Sequence, residues 1–346
     1  MACTTKRQNL TCMTLSLIAL CFGILSVTGS ERSGGMDTRW STSFPVVAEE
    51  DGNEYVFLTF KSIDERHGVA LFYRRDREVE QELLAIEYTG SDEAASVDGD
   101  AGPEKPIRQA IWRFPYPSVV TLKDIDERSL VFGDYLFFVE EDRVLTRWSL
   151  EKHDASNNQR TTKEIPSPPL SNLFECDGLV CYLGDDGVLR RYVPSTMEVR
   201  DVVSFSYEPT HDLLGVWVQT YQGLYYAVFE SRSTRSLTLL DNEGRALHSY
   251  SLEDIMNWSS DFATDERIDL FGMFVVMSRT RLLFACDYDL VSVDLDKHSM
   301  AHAGHGRLGF VREIRLSNGL LTVVGFENVG KRLEDMSVRV TQYKLP

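Results

Sequence analysis

Cysteine is scarce in this chain. Of six, Cys3, Cys12 and Cys21 fall in the first 30 residues, leaving Cys176, Cys181 and Cys286 for the rest of a 346-residue sequence. Three thiols exclude a disulfide framework, because such scaffolds are short and cysteine-dense. Positive charge is also short: 36 Lys and Arg stand against 53 Asp and Glu, a formal net charge of −17. Nucleic-acid binding depends on Lys and Arg neutralising phosphates, so this balance argues against a nucleic-acid partner and favours basic partners or cations. After the first 30 residues no apolar run reaches the roughly 20 residues of a membrane-spanning helix. Helical periodicity is missing from every long segment; residues 77–88 are the best helical candidate, and residues 252–258 allow one short turn of helix. The catalytic patterns G-x-S-x-G and H-E-x-x-H are absent, as is a papain-type cysteine context, so nothing in the sequence names a reaction.

What is present begins with Lys6 and Arg7, an apolar stretch from Leu10 to Val27, and the small polar Thr28, Gly29 and Ser30. That is the layout of a secretory signal peptide. Residues 1–30 are therefore expected to be removed, giving a secreted, acidic protein with no membrane association after cleavage. An uncleaved segment anchoring the protein to a membrane is the alternative. Residues 31–346 are expected to form a single domain and to act as a monomer. Within them, residues 91–105 are small, acidic and poor in apolar side chains, and read as a disordered surface insertion. Residues 157–169 read as an exposed loop.

Short segments rich in Val, Leu, Phe and Tyr, bounded by Asp-Gly, Asn-Gly or Asn-Glu-Gly, predict strands joined by tight turns. Two of them align: Leu-Phe-Phe-Val-Glu-Glu-Asp-Arg-Val-Leu-Thr-Arg-Trp from Leu136, and Leu-Val-Cys-Tyr-Leu-Gly-Asp-Asp-Gly-Val-Leu-Arg-Arg from Leu179. Further members start near Leu224, Leu282 and Leu320, with a first one near Tyr55. From Leu136 the intervals are 43, 45, 58 and 38 residues, averaging 46. Asp126-Glu127-Arg128 followed by Phe132-Gly133 returns 139 residues later as Asp265-Glu266-Arg267 and Phe271-Gly272, close to three such intervals. Repeats of about 40 to 50 residues with four strands each are the signature of β-propellers, whose blades bury their faces only by stacking on one another.

The runs from Asp186 (Asp-Gly-Val-Leu-Arg-Arg-Tyr-Val), Ser236 (Ser-Leu-Thr-Leu-Leu-Asp-Asn-Glu-Gly) and Asp289 (Asp-Leu-Val-Ser-Val-Asp-Leu-Asp) look like the outer hairpins of quinoprotein-like and WD-type blades. The chain thus resembles the broad family of β-propeller repeat proteins over about residues 120–345. It lacks the Gly-His to Trp-Asp pairing of WD repeats and a complete tryptophan-docking motif, so the resemblance implies architecture and not activity. The expected fold is all-β, a propeller of about six four-stranded antiparallel blades, with seven as the alternative. The last unit supplies about three strands, which invites an N-terminal strand near residues 44–47 to complete it and close the ring.

Candidate chemistry is sparse. His298, His302 and His305 place three of seven histidines within eight residues and could hold a divalent metal such as zinc or copper. The surrounding glycines favour an unspecialised connector, and no cofactor is expected. Gly304 to Gly309 matches G-x-G-x-x-G, but no strand run precedes it and a strand-like run follows, which is not a dinucleotide-binding context. Glu140, Glu141, Asp142, Asp185, Asp186, Asp287, Asp289, Asp294 and Asp296 gather at turns, where Asp is favoured for conformational reasons. The aromatic residues Trp217, Tyr221, Tyr225, Tyr226 and Phe229 sit at strand spacing and read as core. If Asp177 and Gly178 form a two-residue hairpin turn, Cys176 faces Leu179 and Cys181 lies diagonally across on the same face, which suits either a disulfide or two buried thiols. Asn257-Trp258-Ser259 fits an N-glycosylation acceptor.

These features point to a secreted propeller that presents loops on a rigid ring to a protein partner. The rival is an extracellular enzyme whose carboxylates or metal line the central channel and act on a carbohydrate or other small substrate.

Overall fold

A computed structural model of the chain describes residues 37–63, 67–74, 82–89, 107–115, 128–140, 143–150, 160–205, 213–231, 234–258, 273–286, 289–304, 310–317 and 320–344. Apart from helix α1 (Leu252–Met256) and a 3-10 turn at Leu333–Asp335, the regular elements among the described residues are strands.

The first strand, β1 (Asp37–Pro45), is followed by β2 (Val47–Glu50), β3 (Asn53–Ser62), β4 (His67–Arg74), β5 (Glu82–Thr89) and β6 (Ile107–Pro115), and β2 to β6 pair in chain order as blade one. Blade two holds β7 (Ser129–Phe132), β8 (Tyr135–Glu140), β9 (Val144–Ser149) and β10 (Arg160–Glu164). Blade three holds β11 (Phe174–Cys176), β12 (Leu179–Leu183), β13 (Val188–Tyr192) and β14 (Val199–Ser204). Blade four holds β15 (Leu213–Tyr221), β16 (Leu224–Ser231), β17 (Arg235–Leu240) and β18 (Ala246–Ser251). Blade five holds β19 (Phe274–Val276), β20 (Arg281–Cys286), β21 (Asp289–Asp294) and β22 (Ser299–Gly304). Blade six holds β23 (Phe310–Ser317), β24 (Leu320–Glu327) and β25 (Ser337–Lys344), and its fourth strand is β1. All pairings are antiparallel, and the result is a six-bladed β-propeller, with five four-stranded blades and one of five strands.

The repeat positions read from the sequence mark one structural place. Leu136, Leu179, Leu224, Leu282 and Leu320 all lie in the second strand of their blades. Tyr55 differs: it lies in β3, which rests against both β7 and β23 and so holds the inner position itself, while short β2 pairs only with residues 53–56. Two-residue turns set the hairpin registers. Asp51-Gly52, Asp177-Gly178 and Gln222-Gly223 all have positive φ at both residues, between 49° and 77°, which matches the right-handed twist of the flanking strands.

The core comprises six clusters, one between each pair of successive blades. Blade-three residues Cys181 and Leu189 pack with blade-four residues Val218 and Ala227; blade-four Val228 packs with blade-five Phe284; blade-five Leu283 packs with blade-six Val323. The ring closes where Phe44, Val324, Val338 and Val340 of blade six meet Phe57, Phe72, Leu84 and Tyr88 of blade one. The N-terminal strand expected near residues 44–47 to complete blade six is β1, which ends at Pro45 with Phe44 opposite Val338, while Val47 already opens β2 in blade one.

Three expectations are corrected. The helical candidate at residues 77–88 contains β5: Leu83 and Ala85 pack toward blade two, while Leu84, Ile86 and Tyr88 pack toward blade six. A blade covered on both faces needs apolar residues at successive positions, which imitates a helix pattern. The loop expected at residues 157–169 contains β10, an outer strand whose polar sequence Arg-Thr-Thr-Lys-Glu faces solvent. The connector expected around the histidines is strand β22 over Ser299–Gly304, fixed by buried Met300 opposite Val293. The expected insertion at residues 91–105 lies outside the described residues, as does the second Asp-Glu-Arg and Phe-Gly copy. The short helix expected at residues 252–258 is α1, capped by the Ser251 hydroxyl, which accepts from the Glu253 amide.

Candidate functional site

The inner strands bring charged residues into the central channel. On β23, Ile314 packs toward blade five, so alternation turns Glu313 and Arg315 the other way. Glu313 accepts a 2.7 Å hydrogen bond from the Thr59 hydroxyl and lies 3.4 Å from Lys61 Nζ, both on β3. Arg315 Nη2 donates to the Val131 carbonyl on β7 at 3.4 Å. Blade one stands between blades six and two, so this guanidinium reaches across the channel. Desolvation pulls Arg315 below the usual arginine range, while the carboxylates of Glu313 and of Glu175 on β11 oppose that pull. The channel thus carries one ion pair, Lys61–Glu313, and hydrogen bonds from Thr59 and Arg315 that tie inner strands together, with the carboxylate of Glu313 engaged by Thr59 and Lys61.

Two polar networks lie between blades. Between blades two and three, Arg190 grips Asp186 through two nitrogens at 2.9 and 2.5 Å, and the Ser167 hydroxyl donates to the same carboxylate at 3.1 Å. Arg190, chiefly, holds the Asp186 carboxyl down at about 2. Between blades three and four, Cys176 Sγ lies 3.7 Å from Tyr225 Oη, Arg191 donates to that same oxygen, and Arg191 Nη1 reaches Asp201 Oδ2 at 3.1 Å. The turn register places Cys176 opposite Leu179 and Cys181 opposite Phe174, so the two buried thiols share a face. Hydrogen bonding from Cys181 lowers the Cys176 thiol against the opposing effect of burial, whereas burial pushes Cys181 far up. Both thiols are free in this structure.

The sequence-selected residues are scattered. His298 sits in the β21–β22 turn at φ 47°, stacked on Trp258 with ring centroids 4.8 Å apart. His302 lies on β22 with Nδ1 3.9 Å from Asp289 Oδ2, and His305 lies outside the described residues. No group of three His, Cys, Asp or Glu that could hold a metal occurs among the described residues. Gly304 ends a strand, contrary to the expectation that none precedes it, and the run from Phe310 is a strand, so no helix N-terminus faces a phosphate. Asn257 caps the end of α1 and is exposed. Among the turn carboxylates, Glu140 is buried, accepting from Thr146 at 2.6 Å and pairing with Arg160 at 2.5 Å; Asp294 is held by Arg281 and Lys297. Tyr225, Tyr226 and Phe229 are core, as expected.

Sequence reasoning passed over the rim. The large apolar side chains that stay exposed among the described residues are Val199 (44%), Val202 (57%), Leu214 (59%) and Leu247 (43%). The first two lie on β14, the others on β15 and β18, so all belong to blades three and four. Leu214 and Leu247 each fall at a register shift, where one residue has no partner opposite it.

No family model and no curated protein matches the chain. Among solved structures it is similar to the crystal structure of BamB from Moraxella catarrhalis, at 10% identity over 90% of this chain and 100% of that chain, with a TM-score of 0.44. What the chain's own six sheets establish is a six-bladed β-propeller closed by its N-terminal strand.

Proposed function

We propose that this protein is a secreted binding or scaffold propeller that engages a protein partner through the outer rim of blades three and four. The observation that carries the reading is that exposed Val199 and Val202 on β14 and exposed Leu247 on β18 lie on the outer strands of two adjacent blades, whereas Leu214 belongs to the inner strand β15. Exposed apolar residues that gather on one part of a surface mark interaction sites. A ring with packed clusters between all its blades supplies the rigid platform on which rim positions stay fixed. The net charge of −17 favours a partner with a basic surface around an apolar centre. Secretion rests on the N-terminal layout from Lys6 to Ser30, and the leader is removed in this reading.

The test is purification of the tagged full chain from cells that express it, with hydrogen exchange on the complex recovered. A stoichiometric protein that slows exchange across β14 and β18 supports the proposal. Turnover of a small substrate, abolished by substitution of channel residues such as Glu313 and with no protein engaging the rim, would overturn it in favour of an enzyme.

A further inference from the structure

Strand β14 is the outer edge of blade three, and no described strand pairs with its outer side. Such edges present a row of free backbone donors and acceptors, which proteins usually blunt with charge or cover. The outer strand of blade two, β10, is blunted by Arg160, Lys163 and Glu164. β14 reads Val-Arg-Asp-Val-Val-Ser, carrying one charge of each sign, Arg200 and Asp201, between exposed Val199 and Val202.

A register shift orders these side chains. Val199 pairs with Tyr192, Asp201 with Arg191 and Val202 with Arg190, which leaves Arg200 as the extra residue. Tyr192 and Arg190 are two apart on β13 and share a face, so Val199 and Val202 share that face although they are three apart. Arg200 and Asp201 both stand opposite Arg191 and take the other face. The segment is therefore self-complementary. A two-fold axis between Arg200 and Asp201 sets Val199 opposite Val202 of a second copy, and Arg200 opposite Asp201 of that copy, twice over. Asp201 already accepts from Arg191, but its side chain is 45% exposed and keeps acceptor capacity on the outer side.

We propose that β14 is a self-association strand: two copies of this chain pair antiparallel through Val199 to Val202 and join two propellers in an isologous dimer. The contact closes on itself, because a two-fold interface uses the same patch on both partners and leaves no free edge to propagate. The inference rests on the reading of the blade three and four rim as an interaction surface, and it names a second copy as the occupant of one part of that rim.

Sedimentation velocity on the full chain, from low to high micromolar, tests it together with two charge variants. The wild-type mass is expected to rise toward twice that of one chain. R200D, which sets like charges opposite each other across the axis, is expected to stay at one chain, as is D201R. An equimolar mixture of the two restores opposite charges at both positions and is expected to associate. Circular dichroism and a melting curve establish that each variant folds; should D201R lose the fold with its Arg191 contact, V202N takes its place as an uncharged disruption. A wild-type chain that stays at single mass throughout, or R200D and V202N associating as the wild type does, overturns the dimer. If the wild type stays single while a foreign protein still protects β14 and β18, this inference falls and the rim reading stands.

Discussion

Truncating Phe44 to alanine tests how the ring is held shut. Phe44 belongs to β1, the strand that the N-terminal segment contributes to blade six, yet its ring packs on blade one. Its centroid lies 4.7 Å from that of Tyr88 in a stacked arrangement, 5.6 Å from Phe57, and 6.2 Å from both Phe60 and Phe72. At 3% exposure it has little room to relax. Phe→Ala in a core of this kind costs about 3–5 kcal/mol, the lost transfer energy plus the cavity left behind. Unfolding entropy near 2.1 cal/mol/K per residue over roughly 300 residues gives about 0.6 kcal/mol/K, so the melting temperature is expected to fall by roughly 5–8 °C. Scanning calorimetry reads that shift, with K163A on the exposed strand β10 as a surface control expected within about ±0.5 kcal/mol of wild type. A fall below about 2 °C for F44A, or one no larger than that of K163A, would refute the claim that β1 locks blade six to blade one.

Further outcomes follow from the polar networks. Asp186 is held at about 2 in the folded chain against an ordinary 3.8, so its contribution is present above pH 4 and is lost as pH falls toward 2. Because its side chain is 40% exposed, solvent screens the pair and the effect is modest; D186N should flatten that part of a melting-temperature profile, and an unchanged acid limb counts against the Arg190 contact. C181A removes the donor that lowers Cys176 and is expected to shift the Cys176 titration upward in the pH dependence of thiol alkylation; a downward shift would contradict the contact. E313A removes the acceptor of the Thr59 hydroxyl and of the Lys61 ammonium and is expected to cost about 1.5–3 kcal/mol in a denaturant midpoint series, the usual worth of hydrogen bonds to a charged group. A cost within error of zero would mean the channel pair holds nothing.

The architecture was legible because local chemistry repeats in every blade. Asp177-Gly178 fixes a two-residue turn whatever surrounds it, and the register it sets puts Cys176 opposite Leu179. Leu136, Leu179, Leu224, Leu282 and Leu320 recur because each second strand meets the same environment. β5 was misread for the opposite reason: burial on both faces erases alternation, and only neighbouring blades supply that burial. The candidate site was scarcely legible. Polar and charged residues inside apolar strand runs, Thr59 and Lys61 on one and Glu313 and Arg315 on another, were the available signal, but they lie some 250 residues apart in a chain whose contacts run between nonadjacent segments.

Turn type, repeat length and the strands that flank the tight turns were determined by the sequence alone, since backbone preference and side-chain alternation act over a few residues. The helical turn at Leu252–Met256 belongs with them. Tertiary structure alone decided that β1 completes blade six, that Arg315 crosses the channel to Val131, and that Glu140 is buried against Arg160 while Val202 is left in solvent. The physical reason is that an outer strand and an inner strand carry similar residues. Which faces are covered depends on the ring closing, and closure joins residues at opposite ends of the chain.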